Sequence, residues 1–418
     1  MTKTNLRLLT LVGITMLIGC GGSSADQTQS TSDLDSSEVN ETVSLDSEYT
    51  ANWMAGAWGI THRVDGGYKL DASVETGKYD WVAGAEEIVE NIPSAGYVIT
   101  SFTHPAHGFL YTLRDNENVD VAAIHPDMVP SLENEKIIFD VINVYKSAGK
   151  KVLLYLNTAG PTHAADRDSP EIQDAWDDYV NTNWNGDHGV AWRNLVEGYA
   201  KRFKGLVDGF WLDNSKNMAG GQEEIPEFVA MLRGVDPSFA IGVNYETHYF
   251  EDEDGNYLKV ASDGIDDNDD REYKIIKHVV TNEYMDFTNG HITPMGQGAP
   301  PNSWGYEEYT IPHMIEKPWD SVDGNHYALM HGWFPIRFSW SSSGAELMFE
   351  AEQAYRFVRT ITDGGAAMTW STTQKKGYMP ADEMDIMIEI NNRMTQDPKP
   401  DYEAYERPEG AYLVGEIE

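Results

Sequence analysis

The sequence predicts an α/β protein folded as a single (β/α)8 barrel, and three observations carry that expectation. Eight short apolar runs of strand length are separated by stretches with helical periodicity. No glycine-rich phosphate turn follows any early run, which disfavours a doubly wound sheet. No internal repeat divides the 418 residues, and one such barrel commonly runs past about 250 residues.

The runs fall, in order, at 57–60, 97–102, 152–157, 209–213, 240–245, a segment around 279–287, 328–333 and 366–370. Between them the apolar spacing changes from two to about 3.6 residues. Residues 133–147 put Ile137, Val141 and Tyr145 on one helical face, and 191–203 do the same with Leu195, Tyr199 and Phe203. Residues 346–360 place Leu347, Ala351 and Val358 likewise. The barrel domain so defined spans 50–418.

Residues 1–20 read as a lipoprotein signal peptide. Lys3 and Arg7 supply a positive start, and 8–18 is an apolar stretch too short to span a bilayer. It ends in Leu17-Ile18-Gly19-Cys20, which looks like a lipobox whose cysteine takes the lipid. Cys20 is the only cysteine, so the mature domain can form no internal disulfide. Gly21 after the cysteine resembles a sorting signal for the outer membrane, so the protein is expected on the cell envelope through its lipid anchor. Residues 21–49 form an acidic, Ser/Thr-rich linker without Lys or Arg, too polar to bury a core. The chain carries 68 acids against 30 bases, a formal charge of −38. That balance argues against nucleic acid as a partner, because phosphate binding needs a basic face. Nothing in the sequence signals an oligomeric state.

In a parallel barrel the chemistry lies where strands end. The first run carries Trp58 and leads into Thr61-His62-Arg63, and the second leads to His104 and His107. The third ends in Tyr155 and Asn157, the fourth in Trp211 and Asp213, and the fifth in Asn244 and Glu246. Aromatic faces stack on sugar C–H groups, and amides, imidazoles and carboxylates bond hydroxyls, so the set points to carbohydrate. Asp213 arrives at the end of the apolar run Gly209-Phe210-Trp211-Leu212 and fits the nucleophile of a retaining glycosidase. Its structural alternative is a helix N-cap.

These residues resemble the α-L-fucosidase family of retaining glycoside hydrolases and the barrel endo-fucanases related to it. Gly209-Phe210-Trp211-Leu212-Asp213 is similar to the family strand that ends in the nucleophilic aspartate. The segment from Thr103 through His104, Pro105, Ala106 and His107 to Phe109 resembles its fucose-binding histidine element. Asp127-Met128-Val129 through Tyr155 resembles the following helix and strand, and Ser303-Trp304-Gly305-Tyr306 a Ser-Trp-Gly-Tyr element that brings Trp304 toward substrate. Ile361-Thr362-Asp363-Gly364-Gly365 and Met379-Pro380 are similar to its last strand and helix.

Two departures have consequences. Pro105 and Ala106 split the paired histidines, and Gly298-Ala299-Pro300-Pro301-Asn302 replaces the Trp-Glu ahead of Ser-Trp-Gly-Tyr. Both favour an open cleft that cuts inside a polymer. The resemblance therefore implies hydrolysis of internal α-L-fucosidic bonds of sulfated fucan by double displacement. An exo-α-L-fucosidase and a catalytically silent carbohydrate-binding lipoprotein stand as alternatives.

The expected acid/base is Glu283, with Glu246 and then His291 as alternatives, since imidazole is also a competent general acid. Arg63, Arg114 and Arg337 are the candidate cations for sulfate. No metal or cofactor is expected: the acidic stretch 251–272 lacks the Asp/Gly/Glu spacing of a Ca²⁺ loop, and no His-Glu-x-x-His spacing occurs. That stretch reads as a solvated insertion.

Overall fold

The computed structural model describes residues 49–64, 80–101, 113–160, 170–244, 248–251, 257–260, 276–278, 280–290, 307, 310–340 and 342–406. All belong to one unit, Leu45–Glu418. The predicted signal peptide with Cys20, and nearly all of the linker, lie outside these residues.

The chain opens with β1 (Trp58–Thr61), α1 (Trp81–Asn91) and β2 (Tyr97–Ser101). It continues through α2 (Val121–Ile124), α3 (Leu132–Ser147), β3 (Lys151–Asn157), α4 (Pro170–Trp184), α5 (His188–Phe203) and β4 (Gly209–Asp213). After α6 (Ile225–Val235) and β5 (Ala240–Val243) come β6 (His248–Glu251), β7 (Tyr257–Val260) and β8 (Ile276–His278). Then follow β9 (Phe287–Thr288), α7 (Ile311–Glu316), β10 (Trp319–Asp320), β11 (Ala328–Leu329) and β12 (His331–Pro335). The last elements are α8 (Ala351–Asp363), β13 (Ala367–Ser371) and α9 (Ala381–Met394). Aspartates start several helices by accepting an orphan amide: Asp80 from Ala83 at 3.0 Å, Asp120 from Ala123 at 3.2 Å and Asp187 from Val190 at 3.0 Å.

Ten strands form one curled sheet in the order β10-β11-β9-β5-β4-β3-β2-β1-β13-β12. Every neighbouring pair is parallel except β10 with β11. Parallel neighbours need crossovers, and helices supply most of them, while the described elements between β5 and β9 are the strands β6, β7 and β8. β11 pairs with β9, β12 pairs with β13, and only Met330 separates β11 from β12. The two strands are thus consecutive pieces of one stretch that touches both ends of the curl. One side-chain and one backbone hydrogen bond reinforce the join. The Thr288 hydroxyl donates to the His331 carbonyl at 3.0 Å, and the Trp333 amide donates to the Gly290 carbonyl at 2.7 Å.

The period of two along each strand sorts side chains into two cores. Trp58, Ile60, Val98, Leu154, Phe210 and Leu212 pack outward against the helices. Tyr97, Ile99, Leu153, Tyr155, Trp211, Phe287 and Trp333 point inward and fill the curl with rings. Tyr97 sits fully buried there and donates to the Met368 carbonyl at 2.7 Å, and burial holds its phenol well above the ordinary tyrosine range. Gly59 is needed opposite it, because a Cβ there would lie 2.5 Å from the Tyr97 ring.

Three expectations shift. The sixth strand starts late, at Phe287, because Asn282 Oδ1 accepts from the amides of Tyr284 at 3.0 Å and Met285 at 3.2 Å, turning that part of the apolar run. The helix expected from 346 starts at Ala351, since the Met348 amide donates to the Ile336 carbonyl at 2.8 Å and ties this backbone to the end of β12. The acidic insertion is not wholly without structure: β7-β6-β8 form an antiparallel sheet of three strands.

Candidate active site

Asp213 is the last residue of β4, and its carboxylate is held from both sides. The Tyr155 hydroxyl on β3 donates to Oδ2, and Asn244 Nδ2, just beyond β5, donates to Oδ1 at 2.6 Å. Asn244 is itself positioned by Asn289, whose Nδ2 donates to Asn244 Oδ1 at 2.8 Å. The Trp211 indole then donates to the Asn289 carbonyl at 2.8 Å. Register explains the convergence. Asn157 pairs with Asp213, and Val243 pairs with Leu212 and Thr288, so 157, 213, 244 and 289 end neighbouring strands near one level.

The backbone around the acid is pinned as well. The Asp213 carbonyl accepts the Thr158 amide at 3.0 Å and its hydroxyl at 2.8 Å. Asn214 follows in the left-handed region at φ 60°, so the chain turns sharply away after the acid. This satisfies the carboxylate through side chains of neighbouring strands instead of through the next helix turn. The N-cap alternative for Asp213 therefore finds no support.

Beneath the carboxylate lies an aromatic floor. Tyr155 stacks on Trp211 with centroids 5.1 Å apart, and Trp333 meets Trp211 edge-on at 4.3 Å. Trp211 is wholly buried. It supports the acid from below and presents no face for a sugar, which corrects its expected role as a direct ligand. Asn157 does sit at the strand ends; its Oδ1 accepts the Ala159 amide at 3.3 Å.

Several expected site residues lie elsewhere. Trp58 points into the helical layer with the outward residues of β1. His62 is fully buried there, bonded to the Tyr145 hydroxyl at 2.7 Å and the Gly377 carbonyl at 2.9 Å, so it joins α3 to the 377 turn and cannot bind sugar. Period-two alternation from Trp58 through Ile60 carries His62 outward.

Arg337 is no sulfate ligand either. It is buried, its Nε and Nη2 engage Glu383 and Asp382 of α9, and its Nη1 donates to the Ala345 carbonyl at 2.7 Å. Arg114 donates to the Pro130 carbonyl at 2.7 Å. Arg63 differs: its Nη2 reaches the inward hydroxyl of Ser371, at 3.2 Å, at the end of β13.

Glu283 lies at the wrong end of the strands. It precedes β9 by four residues and is exposed. Its neighbour Tyr284 gives its carbonyl to Arg233, in the last turn of α6, at 3.0 Å. The same arginine binds Asp286 at 2.8 Å, and Asp286 Oδ2 accepts the Ile241 amide near the start of β5 at 2.9 Å. That is the N-terminal rim, opposite Asp213. Glu246, His291, His104, His107 and Trp304 lie outside the described residues; in the chain, Glu246 is two residues beyond Asn244 and His291 directly follows Gly290.

Sequence reasoning missed Asn289 as a functional residue. The available signal was the recurrence of an amide at or just past the ends of three apolar strands, at Asn157, Asn244 and Asn289.

A family model described as Endo-alpha(1,4)-fucoidanase Mef1 matches residues 48–417. Among solved structures the chain is 70% identical to the endo-fucoidan hydrolase P5AFcnA from glycoside hydrolase family 107, at a TM-score of 0.79, covering 88% of this chain and 99% of that one. It is 14% identical to the endo-fucoidan hydrolase MfFcnA4 of the same family, at a TM-score of 0.60, covering 82% of this chain and 53% of that one. MfFcnA9 is likewise 14% identical at a TM-score of 0.54, with 82% and 63% covered, and both distant likenesses bear on the fold alone. No functionally curated protein matches the chain. The curled parallel sheet with its helices fits a barrel-like glycoside hydrolase.

Proposed function

This chain belongs to the endo-α(1,4)-fucoidanase family, and on that premise we propose that it hydrolyses internal fucosidic bonds of fucoidan with Asp213 as nucleophile. The observation that carries the proposal is the carboxylate at the end of β4, fixed by Tyr155 and Asn244. A nucleophile must be held in one orientation while its lone pair stays available, and two donors from flanking strands do this. We read the curled sheet as one (β/α)8 barrel, supported by the β1–β13 pairing and by the stretch shared between β11 and β12.

Asp213 attacks the anomeric carbon while a general acid protonates the departing glycosidic oxygen, leaving a glycosyl ester on Asp213. The same group, now a base, takes a proton from water as that water attacks the anomeric carbon and frees the carboxylate. Retention requires the two groups about 5–5.5 Å apart. Glu283 is excluded by its position on the opposite rim, so the acid/base falls to His291 or Glu246. In the sequence both follow by two residues the asparagines that orient the nucleophile, Asn289 and Asn244. A His291→Gln and a Glu246→Gln variant separate them: the true acid/base loses turnover on polymer and its bell-shaped pH profile.

Lys3, Arg7 and the sequence ending in Cys20 support a lipid-anchored form on the outer membrane, with 21–49 as tether to the barrel domain at 50–418. Cys20→Ser expressed in a bacterial host is expected to lose lipid labelling; a variant labelled as before removes this reading.

The test of function is a digest of sulfated fucan beside an aryl α-L-fucoside. A ladder of sulfated oligosaccharides, with the aryl substrate untouched and all activity lost in Asp213→Ala, is the expected result. Fucose released from the aryl substrate favours the exo-enzyme, and near-normal activity in Asp213→Ala refutes the nucleophile.

A further inference from the structure

We propose that Arg63, with Ser101 and Ser371, forms the site that reads a sulfate ester on the sugar chain, which rests on the fucoidanase reading. The argument starts from ion-pair accounting. Of the nine described arginines, Arg193, Arg202, Arg233, Arg337, Arg356, Arg359 and Arg393 each face a carboxylate, and Arg114 gives its Nη1 to the Pro130 carbonyl. Arg63 faces none among the described residues, although it is only 6% exposed. Its bonds run from Nη2 to Ser371 Oγ at 3.2 Å and from its amide to Gln374 Oε1 at 3.1 Å, and its buried Nε has no partner among the described residues. A guanidinium held out of water without a counter-charge is costly, and an anion delivered by the substrate relieves that cost.

A second orphan lies beside it. Ser101 ends β2, is 2% exposed, and its hydroxyl likewise has no partner among the described residues. Tyr97 and Ile99 of the same strand point inward, so Ser101 does too. The β1–β2 register, in which Thr61 pairs with Ile99, brings Ser101 level with Arg63. Ser101 in turn pairs with Tyr155, the donor to Asp213.

Arg63, Ser101, Tyr155 and Asp213 therefore run along four adjacent strands at the same mouth. Three strand spacings of about 4.8 Å separate the cation from the nucleophile around the wall, and less across the opening. That reach suits a substituent on a ring next to the scissile bond. The arginine is also pre-set. Gln374 Nε2 donates to the carbonyls of Thr61 at 3.2 Å and Thr372 at 3.1 Å, and Thr61 Oγ1 donates to the Thr372 carbonyl at 2.9 Å, so β1 and β13 are clamped on either side of it.

The test uses the full chain carrying Asp213→Asn, which binds without turnover, and calorimetric titration with a sulfated fucan oligosaccharide and its chemically desulfated twin. Adding Arg63→Gln is expected to weaken the sulfated ligand about 10- to 100-fold, the range for losing a hydrogen bond between charged groups, and to leave the desulfated ligand unchanged. Arg63→Lys, which keeps charge and folding without the fork, restores part of the difference. Equal weakening of both ligands, or no change in either, overturns the assignment of Arg63 while leaving the fucoidanase reading intact. No binding of either ligand, together with no ladder from the unmodified chain, overturns that reading and this one with it.

Discussion

Arg337→Met separates two roles for one cation: a sulfate ligand at the cleft, or the centre of a buried ion pair. Its Nε meets Glu383, which is 0% exposed, and its Nη2 meets Asp382. Methionine keeps much of the stem but removes the charge, leaving Glu383 with the Thr373 hydroxyl and the Thr373 amide at 2.7 Å. Removing one partner of a buried pair costs about 3–5 kcal/mol. Burial already pushes the Glu383 carboxyl above its ordinary range, so without the guanidinium it takes up a proton, which places the cost near the lower bound.

Unfolding entropy of roughly 2.1 cal/mol/K per residue gives about 0.8 kcal/mol/K for the unit Leu45–Glu418. The melting midpoint should therefore fall by about 4 °C in scanning calorimetry. KM and kcat for sulfated fucan, measured well below that midpoint, should stay within about two-fold, since no contact at the cleft changes. Adding Glu383→Leu should recover most of the loss, because an apolar pair of similar volume replaces an ion pair at little cost. An unchanged midpoint with a raised KM would refute the reasoning and return Arg337 to the substrate.

Asn244→Ala removes the bond to Asp213 Oδ1 and the oxygen that accepts from Asn289 Nδ2, so kcat on polymer should fall about 10- to 100-fold with little change in KM; steady-state rates at saturating substrate check this. Gly84→Ala puts a Cβ 2.0 Å from the Gly377 carbonyl oxygen, which also accepts from His62, so α1 must move away from the 377 turn at a cost of about 2 kcal/mol in urea unfolding. The pH dependence of stability carries the sign of Glu383. Its folded carboxyl keeps a proton that the unfolded chain releases near 4.5, so stability falls as pH rises from that value toward the raised one, and Glu383→Gln should abolish that fall. Urea midpoints across this interval decide it, and a native chain that gains stability there relative to the variant would contradict the sign.

Strand positions were legible because burial on both faces leaves continuous apolar runs, as at Gly209–Asp213, where expectation and structure coincide. Direction was harder. The residues around Trp58 and His62 have the composition of a sugar site, yet one step of register decides whether a side chain meets the cleft or the helices. Asp213 was readable since Trp211 beneath it fixes the inward parity. Glu283 was misplaced because Asn282 turns the chain before the sixth strand begins, and a side-chain cap of that kind leaves the apolar pattern untouched. Pairings between distant residues, such as Arg337 with α9, carry no local signal at all.

The clamp between β1 and β13 also concerns the order in which the protein can be made. Thr61 and Thr372 are 311 positions apart, yet they bond each other reciprocally. A ribosome emitting the first strand must finish almost the entire chain before its partner exists. Until then one edge of the growing sheet stays open. Closing so long a loop costs little more entropy than closing one half its length, so the delay is one of synthesis and not of thermodynamics. A fragment that ends at Ser371 keeps Asp213 and its donors but leaves Arg63 without Gln374, and one that ends earlier takes Ser371 from it as well, so serial C-terminal truncation resolves the mouth into an early-built half and a late-built half.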